Sequence, residues 1–176
     1  MMDSGSGQTM DTAFAGAIEI EYKAADIYGQ FSRLFSHVQG LSDFWQGLSN
    51  DEVRHATTLR AVRESLAPEQ LLNPCDKQVW DKLMRTQQML KKDLVGAINT
   101  LDDAYEAAHD LEFSEVNVIF KFLAAEVIPS DERKQFVHSE ITQHQSKLVD
   151  FSLNFGDKAW RKGIGVQRTA SGQIAA

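Results

Sequence analysis

The sequence predicts an all-α protein, a four-helix bundle of two antiparallel hairpins joined by a long crossover that contains a short helix. Three observations carry this. Apolar residues recur at alternating steps of three and four over long stretches, the spacing of helices with one buried face. No extended alternation of β-branched residues marks strands, and only three prolines interrupt the chain. At 176 residues and 43% hydrophobic, the chain suits a single domain with a sizeable core.

The elements follow in order. Residues 1–10 (MMDSGSGQTM) are small and polar and read as a disordered N-terminus. A first helix starts near Asp11 or Thr12, either of which suits an N-cap, and runs to about Gln39. Its inward seam is Phe14, Ile18, Glu21, Ala25, Tyr28, Ser32 and Phe35. Gly40 with Leu41 and Ser42 makes a short turn, and a second helix ends near Ala67-Pro68. Its stripe is Leu41, Trp45, Leu48, Glu52, His55, Leu59, Val62 and Leu66. Pro68 to Cys75 reads as irregular, and Asp76 caps a shorter helix through Leu90. A strong pattern restarts at Asp93 and continues to Val127 through Leu101, Tyr105, Ala108, Glu112, Glu115 and Ile119. Ile128-Pro129-Ser130 breaks it. The fourth helix follows, with Val137, Ile141, His144, Leu148 and Phe151 inward, and fades near Phe155-Gly156. The bundle therefore spans 11–155, and residues 156–176 lose periodicity and are expected to form a mobile tail. The connection between the hairpins, roughly 25 residues, matches a return along a bundle about 40 Å long.

Composition excludes several classes. The single cysteine, Cys75, rules out an internal disulfide, a CxxC redox pair and a four-cysteine metal site. No apolar run reaches the roughly 18 residues a membrane span needs, and residues 1–9 lack the features of a secretory leader, so the expectation is a cytoplasmic protein without membrane contact. A formal charge of −7 argues against nucleic acid as a partner.

Polar residues interrupt the buried seams at particular places. Glu52 and His55 form a Glu-x-x-His pair where two more leucines would be expected. A carboxylate buried without a partner is costly, so it must be neutralised, paired or bound to a metal. The other helices place Glu21, Glu112, Glu115 and His144 on their own seams. Glu112 and His144 are equidistant from residue 128, and Glu21 mirrors the Glu52/His55 pair about residue 37. The candidates thus sit at matching heights within each hairpin. Mixed carboxylate and imidazole donors without thiolate suit iron or manganese, and zinc is chemically compatible. The alternative is a buried, hydrogen-bonded Glu–His pair that specifies bundle register.

At these residues the sequence resembles the ferritin-like superfamily, specifically the rubrerythrin-type di-iron carboxylate proteins. Glu21 followed seven residues later by Tyr28 is similar to the family's first-helix ligand and tyrosine. Glu52-Val53-Arg54-His55-Ala56 is similar to its second-helix E-x-x-H-A motif, and Glu112-Phe113-Ser114-Glu115 to its third-helix E-x-x-E segment. The resemblance implies a site for one or two iron ions that reacts with peroxide or oxygen, or oxidises ferrous iron, and it implies a homodimer. The ligands would be Glu21, Glu52, His55, Glu112 and His144, with Glu115 or Glu140 completing the set. Two departures bear on this. The position three before His144 is Ile141 rather than glutamate, leaving neighbouring Glu140 as the substitute. One cysteine cannot hold a rubredoxin iron, so redox turnover would need an external electron donor. The competing class is a non-catalytic bundle that has lost full metal binding and serves as an interaction or structural module.

Overall fold

The computed structural model describes residues 8–91, 93–113, 116–127 and 130–168, and of these the side chains at 116, 126 and 152 lie outside the description. Every regular element among them is helical, apart from two isolated bridges pairing Thr9 with Pro74 and Thr100 with Gly165.

Helix α1 is Met10–Leu34. Its N-cap is Thr9, not Asp11 or Thr12: Thr9 is extended, and the Thr9 and Thr12 side chains cap each other's backbone N–H groups. Residues 8–10 are held against the crossover, where Cys75 N donates to Gln8 O and Met10 N to Asn73 O. The helix stops five residues before the expected Gln39, because the chain turns through residues 35–40 and Gly40 takes a left-handed φ of 80°. Helix α2 is Leu41–Glu64. It runs antiparallel to α1 in the mirror register expected from the sequence: Ser42 meets Ser32, Ser49 Oγ donates to Ala25 O at 2.8 Å, and Arg63 pairs with Asp11 at 2.8 Å, each pair symmetric about residue 37.

The crossover holds a single-turn helix α3, Pro68–Leu72, and helix α4, Lys77–Met89. Asp76 caps α4 by accepting from Gln78 N and Val79 N, as expected. A Cβ at Gly16 of α1 would lie 3.0 Å from Leu83 Cδ2, so the absence of a side chain there lets α4 approach α1 closely.

Helix α5, Leu101–Glu112, begins eight residues later than the restart expected at Asp93. Asp93 instead closes a turn by accepting from Gly96 N at 2.7 Å, while Thr100 and Asp103 form a reciprocal cap. The helix expected to run unbroken to Val127 is also divided, into α5 and α6 (Val116–Lys121), and α6 continues as a wider π turn over Phe122–Glu126. Helix α7, Asp131–Val149, is capped by Ser130, and a kink at Asp150 separates it from the short α8, Phe151–Phe155.

Contact pairs give the helix directions. Along α2 the partners Asp51–Lys147, Glu52–His144 and Arg54–Glu140 run in opposite senses, so α7 is antiparallel to α2. His144–Glu112 on α7 and Phe151–Tyr105 on α8 make the α7–α8 segment antiparallel to α5 as well. Helices α2 and α5 are therefore parallel, which is why the long connection between them is required. The core runs through all of these elements, with Phe14, Tyr28, Phe31, Trp45, Phe120 and Phe151 fully buried.

The tail expected to be mobile is docked through residue 168. Its helix α9, Lys158–Gly163, places Arg161 Nε 3.1 Å from Asp102 Oδ1, with both residues about 5% exposed or less. The same guanidinium lies 4.3 Å from the Tyr105 ring centroid. Backbone bonds continue the attachment: Leu101 N to Ile164 O, Val166 N to Asn99 O and Gln167 N to Leu34 O. These contacts are backbone pairing and one buried ion pair, neither of which leaves a periodic apolar pattern. Removing one partner of a buried pair strands the other charge. Arg161→Met is therefore expected to lower the unfolding free energy in urea titration by about 3 kcal/mol or more, whereas a free tail would leave the midpoint unchanged.

Candidate metal centre

Four helices converge on one point between the hairpins. Glu21 comes from α1, Glu52 and His55 from α2, Glu112 from the last turn of α5, and His144 from α7. Each sits where its helix would otherwise present an apolar residue, and none is more than 4% exposed. Glu52 occupies the centre. Its Oε2 lies 3.0 Å from His55 Nδ1, and its Oε1 lies 3.5 Å from His144 Nε2. Glu112 Oε1 approaches His144 Nε2 at 3.3 Å, and Glu21 Oε2 stands 3.7 Å from His55 Nδ1. One donor atom each from Glu52, His55 and His144 lies within 4.8 Å of the others, close enough to share a cation.

Side chains around the cluster aim the ligands. Tyr28 donates its phenolic hydrogen to Glu112 Oε1 at 2.5 Å and stacks on Trp45 with centroids 6.1 Å apart. Asn117 donates to the backbone carbonyl of Glu112 and reaches its Oε2 at 3.5 Å. Phe120 lies against the His55 ring at 4.4 Å and helps seal the pocket from water.

Burial dominates the electrostatics. It raises Glu52 from its ordinary 4.5 to about 8, with the Glu21 carboxylate adding to the rise. Glu112 is pushed well up by burial and then by Glu52, and Tyr28 by burial and then by Glu112. Burial acts against the charged form of His55, but the Glu21 and Glu52 carboxylates facing its Nδ1 outweigh it and lift the imidazole to about 10. His144, desolvated and facing His55, drops to about 3 and is a neutral lone-pair donor at physiological pH.

The hydrogen-bond account does not close. Glu21 Oε2, His55 Nε2 and both ring nitrogens of His144 are buried with no partner. Each such group costs about 1–3 kcal/mol. Oxygen and imidazole donors left open at one buried point fit a divalent cation of the iron, manganese or zinc class.

The remaining sequence-derived candidates fall elsewhere. Glu115 lies outside the described residues. Glu140 does not turn to the cluster: its Oε2 takes a hydrogen bond from Arg54 Nε at 2.6 Å. Being one residue before Ile141, it faces the side of α7 next to α2 rather than the centre, while Ile141 packs on the core. His37, His109 and His138 are exposed. Asn117 was not foreseen, because a continuous helix from Asp93 to Val127 would put it off the inward seam; the change of path after Phe113 brings it beneath Glu112.

The chain matches no family model, no curated protein and no solved structure.

The raised acid sets a pH dependence in metal-free protein. With its folded pKa near 8 and its unfolded value at 4.5, Glu52 keeps a proton that the unfolded chain releases. That stability is complete below pH 4.5 and is lost as pH rises towards 8. Glu52→Gln has no such proton to lose. After chelation, the variant's unfolding free energy is expected to gain on wild type steadily across this window in urea titrations, and a constant difference would contradict the assigned environment.

Proposed function

We propose that this protein is a metal-binding bundle of the ferritin-like, rubrerythrin-related type, holding one or two iron-class ions through Glu21, Glu52, His55, Glu112 and His144 and reacting with oxygen or peroxide, or oxidising ferrous iron. The observation that carries the reading is the set of buried, unpartnered donor atoms on Glu21, His55 and His144 around Glu52. The parallel course of α2 and α5 across a long connection supports the ferritin-like arrangement.

The ligand side chains divide into two groups. Glu21 and His55 face one oxygen of Glu52, and Glu112 and His144 face the side of the other. Between them these residues would hold one or two cations. The carboxylates would supply negative charge, His144 a neutral lone pair, and His55 a lone pair once a cation displaces its proton. Bound iron would supply a one-electron couple and an open coordination position for oxygen or peroxide. Tyr28 fixes the rotamer of Glu112, and Phe120 and Trp45 keep bulk water away. Electrons for turnover would come from an external donor.

A second reading rests on α7. With Ile141 in place of an acid and Glu140 engaged by Arg54, α7 brings to the cluster, among its described residues, the His144 imidazole alone. A non-catalytic bundle that has lost full metal binding fits that observation.

Elemental analysis of protein purified after iron supplementation separates the two. The expected result is a stoichiometric ion in wild type and its loss in Glu52→Ala; fewer than about one ion per ten chains in wild type favours the non-catalytic bundle. With metal bound, oxidation of ferrous iron or consumption of peroxide is expected to run faster than in Glu52→Ala by about a hundredfold. Equal rates would leave a passive metal binder.

A further inference from the structure

Two ion pairs bracket His144 along α7. Glu140 lies four residues before it and Lys147 three residues after, one helical turn away on either side. Both are tied to α2, on either side of Glu52. Lys147 Nζ donates to Asp51 Oδ2, and Arg54 joins the two pairs, with Nη2 2.9 Å from Asp51 Oδ1 and Nε 2.6 Å from Glu140 Oε2. Asp51 is the keystone, since it is only 5% exposed and accepts from both cations. A carboxylate desolvated to that degree is costly without its partners, so the lattice has a strong preference for this one arrangement of α2 against α7.

Inside the pocket the His144 ring approaches Glu112 and Glu52 at 3.3 and 3.5 Å and lies against Tyr28 and His55, but no hydrogen bond fixes it there. Neither of its nitrogens has a hydrogen-bond partner, and Ile141 beside it makes only apolar contact. The height of His144 against Glu52 is therefore set from outside the pocket, by the pairs above and below it.

We propose that Asp51, Arg54, Glu140 and Lys147 form a clamp that positions His144 against Glu52 for metal binding, and that Glu140 acts through this clamp rather than as a metal ligand. The inference rests on the metal-binding reading and deepens it. Arg54 and Lys147 cannot ligate a metal as cations, so their contribution is separable from ligation. Glu140→Gln keeps an oxygen that can accept from Arg54 but removes the charge that would make residue 140 a useful ligand.

The test uses cobalt(II) titration of the full chain, reading affinity and the visible absorption of the bound ion. Arg54→Ala combined with Lys147→Ala is expected to weaken cobalt affinity by about tenfold or more and to change the absorption band, as when a ligand's supporting hydrogen bonds are removed. Arg54→Lys, which keeps the charge at a surface position, is expected to recover part of both, and it covers the case in which the double variant fails to fold. Glu140→Gln is expected to stay within about threefold of wild type. An unchanged band and affinity in the double variant would overturn the clamp, as would loss of cobalt in Glu140→Gln to the extent seen for Glu52→Ala. Wild-type protein that takes up no cobalt, iron or manganese would overturn the metal reading itself and the clamp's role with it, so the two failures are distinguishable.

Discussion

Three carboxylates and two imidazoles enclosed at one point impose a demand that much of the structure answers. An isolated buried charge is too costly to keep, so each of these groups needs a proton, a partner or a cation. Part of that demand is met locally. Glu52 is shared between His55 and His144, and Glu112 is held by Tyr28 and Asn117. The unmet part, on Glu21, His55 and His144, leaves buried polar atoms in the pocket without hydrogen-bond partners. A hydrophobic bundle of the same size would be more stable without these residues, and their presence at the crossing of four helices is hard to account for as packing alone.

The surroundings are organised to keep that arrangement in place. Tyr28, Phe31, Trp45 and Phe44 pack edge-on or stacked with centroids 5.0–6.2 Å apart, forming a wall of inflexible rings beside Glu112. On the opposite side, the ion pairs between α2 and α7 lie nearer the solvent. The site is thus held by aromatic packing within the core and by charge at its edge.

Much of this was legible in the residues. Helical periodicity marks α1, α2 and α7, and mirror symmetry about residues 37 and 128 sets Glu21 level with Glu52 and His55 in one hairpin and Glu112 level with His144 in the other. Both signals depend on long regular helices, for which position in sequence translates directly into height and face. Where the chain departs from regularity, the translation fails. The start of α5 depends on the competing turn at Asp93 and the reciprocal cap at Thr100, which periodicity does not register. Asn117, off the seam that periodicity marks, donates to the carbonyl of Glu112. Glu140 was ambiguous because one position of offset, about 100° around a helix, separates the pocket from the flank where Arg54 waits. The docking of residues 156–168 was invisible for a different reason: it rests on backbone pairing and on Arg161 reaching Asp102, a contact between residues that each look solvent-facing in sequence.

That last segment has a consequence for the order of assembly. The hairpin of α1 and α2 is closed by contacts between near neighbours in sequence, so it can collapse early and quickly. The end of α1, by contrast, receives Gln167 N at Leu34 O, and the start of α5 receives Ile164 O at Leu101 N. Both bonds wait for residues translated well after the helices they join. During synthesis the bundle therefore emerges with its hairpin end unfinished, carrying Asp102 without the arginine that neutralises it. Residues 156–168 thus act as a seal over the end of α1 and the start of α5, added after the helices they close have formed.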